Sequence, residues 1–179
     1  MVRLLDDVLV LSKTSAAKVN FSPRQFDLRA FCEQIWEDML EVDQQRHGYH
    51  FDYQALIQQI TADMDLLQHA LVNLLSNAFK YTPVGGSIHF QVASDEAFVT
   101  FRIRDTGCGI SEADQKHLFE PFYRAANTKT IEGTGLGLAI VKSYLDLHGG
   151  TITMQSVEGV GTTFTAQIPY HQEPNNGQR

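Results

Sequence analysis

The sequence is short of basic charge, of cysteine and of uninterrupted hydrophobic runs, and each shortage closes off a class of function. Its 14 Lys and Arg stand against 21 Asp and Glu, a formal net charge of −7. General nucleic-acid binding needs a concentrated basic surface, so no nucleic-acid partner is expected. An anionic ligand is still admissible, because backbone N–H groups bind phosphate without net positive charge. The 2 cysteines, Cys32 and Cys108, make neither a disulfide framework nor a zinc pattern, which points to a reducing, cytoplasmic compartment. No apolar run reaches the length of a membrane span, and the N-terminus lacks signal-peptide organisation. Direct membrane insertion is therefore not expected, although a membrane-anchored parent is compatible with this. Internal repeats and low-complexity tracts are missing too.

What is present suits one substantial core. A chain of 179 residues with 43% hydrophobic and 20% charged residues fits one α+β domain with appendages. Val2 to Lys13 reads as a short amphipathic helix, and the polar chain from Thr14 to Arg24, with Pro23, reads as a linker. Asp27 is placed to cap a helix running to about Arg46, with Phe31, Ile35, Met39 and Val42 inward and Trp36 in the core. Tyr49, Phe51 and Tyr53 alternate with polar residues as in a half-buried strand; Gln54 to Thr61 is ambiguous. Asp63 caps a second helix, predicted to end at Tyr81 before Pro83, Gly85 and Gly86. Two strands follow, around Ile88-Phe90-Val92 and Val99-Phe101-Ile103, joined by a hairpin at Ser94 to Ala97. A second pair holds Ile152 and Met154, then Phe164, Ala166 and Ile168. One-sided alternation with hairpin connections predicts a mostly antiparallel sheet covered on one face by helices.

Three stretches carry more chemistry than packing requires. On the second helix Asn73, Asn77, Lys80 and Tyr81 share a narrow arc beside the apolar face of Leu67, Leu71, Leu74, Leu75 and Ala78. Asn is a mediocre helix former, yet two amide oxygens, a cation and a ring in this order suit Mg²⁺, phosphate and a flat base. Asp105 falls on the inward track of its strand, where a carboxylate needs partners. It leads into Thr106-Gly107-Cys108-Gly109-Ile110. That segment reads either as a strand-ending Asx-turn or as an acid receiving an exocyclic amine, with the glycines clearing room for a ring. Gly133-Thr134-Gly135-Leu136-Gly137-Leu138 opens a third helix with unobstructed N–H groups at its positive end, suited to phosphate oxygens; a plain hinge is the competing reading. Between them, Ile110 to Gly133 has the length of a lid, with a short helix near Ala113 to Leu118, held by Phe119 and Phe122, and a mobile-looking Ala125 to Glu132. Arg124 can reach a phosphate from it, and Thr162, in the turn Gly159 to Phe164, can touch a base.

Taken in order, these segments resemble the catalytic ATP-binding domain of sensor histidine kinases, within the GHKL superfamily. Asn73 to Thr82 resembles the N box, Asp105 to Ile110 the G1 box, Phe119 to Arg124 the F box, Gly133 to Leu138 the G2 box and Gly159 to Phe164 the G3 turn. The match covers roughly residues 26 to 169, and its specificity lies in the agreement of several weak signals in sequence order. The resemblance implies a two-layer α/β sandwich of Bergerat type, with a mixed, mostly antiparallel sheet. It implies that residues 1–13 end a dimerisation helix, 14–25 form a linker, 26–170 form the catalytic domain and 171–179 a disordered tail.

The same resemblance implies roles. Asp105 would recognise the adenine amine, with Gly107, Gly109, Ile110 and Thr162 around the base and Tyr81 beside it. Asn77, with Asn73, would hold Mg²⁺, and Lys80 would approach the terminal phosphates. Gly133, Thr134, Gly135, Leu136, Gly137 and Leu138 would admit the phosphates of ATP. Asn73, Lys80 and Arg124 would assist transfer of the γ-phosphoryl group to a histidine. ATPases of the superfamily that resemble gyrase and MutL place a Glu near the position of Asn73 to activate water. Asn cannot act as that base, which favours phosphotransfer over hydrolysis. None of the 7 histidines sits in the acidic helix motif of the family's phosphoacceptor; His69 and His148 read as structural or solvated. The acceptor is therefore expected on a dimerisation domain upstream or on another chain, with a response regulator downstream. A GHKL-type ATPase and a nucleotide-responsive binding module are the alternatives. Cys108 reads as a small core residue.

Overall fold

The computed structural model describes residues 20–43, 46–125 and 133–170. The expectations for the first helix, most of the linker, the mobile-looking part of the lid after Ala125 and the tail lie outside the described residues.

Strand β1 (Arg24–Asp27) leads directly into helix α1 (Leu28–Asp43), and β2 (Gly48–Gln54) follows. Next come β3 (Gln59–Ala62), helix α2 (Met64–Tyr81), β4 (Ser87–Ser94) and β5 (Phe98–Asp105). The short helix α3 (Glu112–Gln115), helix α4 (Gly137–Leu147), β6 (Thr151–Val157) and β7 (Gly161–Pro169) complete the described order. A five-stranded sheet runs β2-β4-β5-β7-β6, and β1 pairs with β3 in a separate two-stranded ribbon. Only the β2–β4 pair in the large sheet is parallel; β4–β5, β5–β7 and β6–β7 are antiparallel. The mixed, mostly antiparallel α+β sandwich is thus the observed architecture.

Alternation fixes which face is covered. Ile88, Phe90 and Val92 of β4 and Val99, Phe101 and Ile103 of β5 are fully buried, as are Ala166 and Ile168 of β7. They meet Leu67, Leu71, Leu74 and Leu75 of α2 and Ile140, Val141 and Leu145 of α4 in one core. Burying each large aliphatic side chain contributes about 1.5–3 kcal/mol. Trp36 lies in that core, with its ring centroid 6.0–6.3 Å from those of Tyr49, Phe51, Phe79 and Phe90. The opposite sheet face keeps its polar track of His89, Gln91, Arg102 and Arg104.

Helix α2 is pinned at both ends. At its start the Asp63 carboxylate accepts from the N–H of Leu66 and of Ser22. The Asp63 N–H donates to Nε2 of His148, whose Nδ1 faces the Tyr144 carbonyl oxygen at 2.7 Å. His148 is therefore a neutral structural histidine with Nδ1 protonated, and burial pushes its pKa below the usual value. At the other end His47 bridges Asp43 and the carbonyl oxygen of Thr82, and the Tyr49 hydroxyl donates to the same Asp43 carboxylate. Burial opposes ionisation of Asp43, but the hydrogen bonds from Tyr49 and His47 outweigh it and lower its pKa.

Several local expectations change. Val42 is 77% exposed rather than inward, because α1 ends one residue later and its last turn overhangs the core. Arg24 and Gln25, read as linker, begin a strand paired with Thr61 and Ala62; a four-residue ribbon carries too little periodicity to announce itself. Phe122 is 63% exposed and does not hold the lid segment; its φ of 66° turns it outward, and Phe119 alone of that pair packs on the core.

Candidate functional site

The site sits where the C-terminal half of α2 meets the ends of β5 and β7. Asp105 ends β5 opposite Thr162 of β7, so both inward side chains reach the rim of the sheet. Asp105 is 7% exposed. Oδ1 accepts from the N–H of Gly107 at 2.8 Å and of Thr162 at 3.2 Å; Oδ2 has no hydrogen-bond partner among the described residues. Burial raises the Asp105 pKa, and the two N–H bonds counter it only in part. A buried carboxylate oxygen left open is costly unless something else donates to it.

Backbone packing holds this end in place. The Cys108 N–H donates to the Tyr81 carbonyl oxygen at 3.1 Å, and its own carbonyl oxygen accepts from Gly159 at 2.8 Å. A Cβ on Gly107 would meet the Tyr81 oxygen at 2.5 Å. Gly109 has φ +62°, and a Cβ there would collide with the Val157 carbonyl. These glycines let the α2 terminus, the β5 exit and the β6–β7 turn close on one another. Cys108 itself is half-buried rather than core, with its thiol pKa raised by burial and by Asp105. Its place is set by its backbone bonds, which the residue type does not reveal.

Across from Asp105 the α2 arc presents its polar side chains. Asn73 donates from Nδ2 to the His69 carbonyl oxygen at 3.0 Å, which leaves Oδ1 facing Gly137, 3.1 Å from where a Cβ would sit. The Asn77 side chain makes no hydrogen bond with another described residue. The Lys80 ammonium lies 3.3 Å from the Tyr81 hydroxyl and 4.9 Å from its ring centroid, with no carboxylate partner among the described residues. A Cβ on Gly133 would lie 2.9 Å from that ammonium. Helix α4 begins after Leu136 with no side-chain cap, so its first N–H groups and positive dipole end are open to an anion.

The glycine segment is braced from the lid side. Gly135, with φ +74°, accepts from the Phe122 N–H at 2.9 Å, and a Cβ there would meet the Phe122 backbone. The Thr134 hydroxyl accepts from the Leu136 N–H. Leu136 is fully buried, so it can offer a ligand only its backbone, and Leu138 is partly buried against the core. Ile110 is partly buried against the core. Arg124 is half-buried just ahead of the undescribed residues. Tyr123 donates to Asp114 at 2.7 Å, tying the F-box segment to α3.

The arrangement fits a nucleotide and a hard cation on its own chemistry. Among the described residues Asp105 Oδ2 is a buried acceptor without a donor, and Lys80 and the α4 start are positive charge without a carboxylate. The amide oxygens of Asn73 and Asn77 are hard ligands of the kind Mg²⁺ takes alongside phosphate oxygens. No cluster of three or more His, Cys, Asp or Glu able to hold a metal occurs among the described residues, so phosphates would have to complete such a site. A separate cavity of about 480 Å³, lined by Arg29, Tyr53, Leu56 and neighbours, contains none of these residues. Ser156 and Gln115 went unnoticed in the sequence. The Ser156 hydroxyl binds Ile110, Gly161 and Thr162, and Gln115 spans the carbonyl oxygens of Ile110 and Ser156. Both are ordinary polar residues with no local signal.

Residues 62–172 match the family described as histidine kinase-, DNA gyrase B-, and HSP90-like ATPase, and the chain belongs to that family. It is 35% identical over 178 residues to the sensor histidine kinase WalK of Bacillus subtilis, covering 97% of this chain and 29% of WalK. It is 33% identical over 175 residues to the adaptive-response sensory kinase SasA of Thermosynechococcus vestitus, covering 96% of this chain and 46% of SasA. The chain thus spans less than half the length of these curated relatives. Among solved structures it superposes on full-length ShkA in complex with AMPPNP with a TM-score of 0.83 and 26% identity, over 96% of this chain and 36% of ShkA. The mycobacterial sensor histidine kinase MprB gives 0.73 and 26%, over 82% of this chain and 97% of that one. No described helix is long and apolar enough to cross a membrane.

Proposed function

We propose that this chain is the catalytic ATP-binding portion of a cytoplasmic-facing sensor histidine kinase, transferring the γ-phosphoryl group of Mg-ATP to a histidine on a dimerisation domain. One observation carries the reading: buried Asp105, with Oδ2 open among the described residues, ends β5 where Gly107 and Cys108 pack against Tyr81, on the same helix end as Asn77 and the carboxylate-free Lys80. Asp105 accepts the adenine amine, Tyr81 lies beside the base, and Lys80 and the N–H groups at the start of α4 hold the phosphates. Asn77 and Asn73 would hold Mg²⁺, which would supply charge neutralisation to the phosphates when bound. The acceptor ring nitrogen gives its lone pair to phosphorus, the bond to the bridging oxygen breaks, and ADP leaves. Protein catalysis is then positioning and charge stabilisation, which needs no general base at Asn73. A response regulator would receive the phosphoryl group next.

The test mixes this chain with a histidine-bearing dimerisation domain, Mg²⁺ and γ-labelled ATP. Acid-labile label on the dimerisation domain is expected. ATP binding without any such label would refute the kinase assignment. Steady phosphate release without an acceptor would favour the ATPase reading.

A further inference from the structure

The Ser156 hydroxyl touches both the G1 exit and the G3 turn. It accepts from the Ile110 N–H at 2.9 Å, lies 3.0 Å from the Gly161 carbonyl oxygen and 2.9 Å from the Thr162 hydroxyl. A carbonyl oxygen can only accept, so the single Ser156 proton goes to Gly161. The Thr162 hydroxyl must then be the donor in its bond to Ser156. Its proton is committed away from the cleft, and its remaining capacity is to accept. The neighbouring Asp105 Oδ2 is also an acceptor, open among the described residues. Both side chains are more than nine-tenths buried, at 6% and 7% exposure.

We infer that Ser156 is a positioning residue that sets the hydrogen-bond polarity of the base pocket, making it acceptor-only and so selective for a 6-amino over a 6-oxo purine. The inference rests on the nucleotide reading above and adds to it a residue outside the recognised boxes. A 6-amino group brings two N–H donors to this pair of acceptors, directly or across one water. A 6-oxo group puts a third acceptor where those donors would sit and leaves only the ring N1–H, one position away, to donate, the kind of mismatch that discriminates strongly. With Ser156 removed, the Thr162 hydroxyl is free to turn its proton into the cleft and satisfy a 6-oxo group. Gln115, bonded to the carbonyl oxygens of Ile110 and Ser156, holds the same junction from the α3 side.

Affinities for ATP and inosine triphosphate, measured by calorimetry on the whole chain, provide the test. In Ser156→Ala the ATP-to-inosine preference is expected to fall about tenfold, with Ser156→Thr restoring it. A preference unchanged in Ser156→Ala, or both affinities falling together, would overturn the inference. If Ser156→Ala does not fold, Thr162→Val decides: a lost preference supports the inference and a parental one overturns it. Asp105→Asn separates the two levels. ATP affinity unaltered in that variant sinks the nucleotide reading itself, whereas loss there with parental selectivity in Ser156→Ala sinks only the role of Ser156.

Discussion

The two ends of the candidate site are built on opposite rules. At the base end, Asp105, Gly107, Cys108 and Thr162 are locked by backbone hydrogen bonds, and glycines stand where a methyl group would strike main chain. At the phosphate end, the Asn77 side chain has no hydrogen-bond partner and Lys80 no carboxylate among the described residues, only the Tyr81 hydroxyl and ring, and Gly133 faces the flexible tips of Lys80 and Tyr81. A rigid end can read the shape and donor pattern of a ring. An unpaired end keeps its charge available for a ligand that arrives with its own countercharge and metal. Mutations should therefore cost folding at the first end and function at the second.

The largest effect sharpens this contrast at the phosphate end. Asn77→Ala should lower phosphoryl transfer by about a hundredfold or more, in line with losing one preorganised group at a developing charge. Its melting temperature should stay near the parent's, since no described bond is lost; an equal fall in stability would break the contrast. Next comes Asp105→Asn, which keeps Oδ1 for the two N–H groups but puts an NH₂ where the amine must donate. A hydrogen bond to a charged group contributes about 1.5–3 kcal/mol, so nucleotide affinity should drop by roughly ten- to a hundredfold by calorimetry. Because burial raises the Asp105 pKa, its share of binding should begin to fade as pH drops at a higher pH than for an ordinary aspartate. That acid limb should be missing in Asp105→Asn.

A pair of alanine substitutions probes both ends at once. At Gly161, φ is +140° and a Cβ would strike the Asp105 carbonyl oxygen. Gly161→Ala should cost about 1–3 kcal/mol in denaturant unfolding, whereas Gly133→Ala should leave stability alone and weaken ATP binding by displacing Lys80. Equal destabilisation by the two would erase the distinction. The smallest effect lies outside the candidate site, at His148. Its folded pKa is lowered by burial, so its neutral form contributes fully above pH 6.5 and that contribution is lost as pH falls below it. Melting temperatures between pH 7 and 5 should decline more steeply for the parent than for His148→Gln.

Much of this is legible in the sequence. Period-two alternation in β4, β5 and β7 and the Leu67-Leu71-Leu74 stripe of α2 are local signals, and the sheet and helix bear them out. The arc of Asn73, Asn77 and Lys80 follows from helical geometry alone. Other features gave no such signal. Phe122 looked like an anchor because it is aromatic, but a left-handed backbone turns it to solvent. Val42 continued the apolar spacing of α1 past the point where the helix still faces the sheet. Ser156 sits on a strand of plain polar alternation, and nothing near it hints that Thr162 and Ile110 converge on its hydroxyl.

The amino-acid order therefore determined which residues could share a face, because helical and strand periods are properties of neighbouring residues. Only the tertiary structure decided which faces meet: β7 beside β5, a parallel β2 beside β4, and the glycine-opened α4 beside Asn73 and Lys80. Those pairings join residues up to several tens of positions apart. They are settled by packing one core and by finding a partner for each buried polar group, and no short stretch of sequence holds that information.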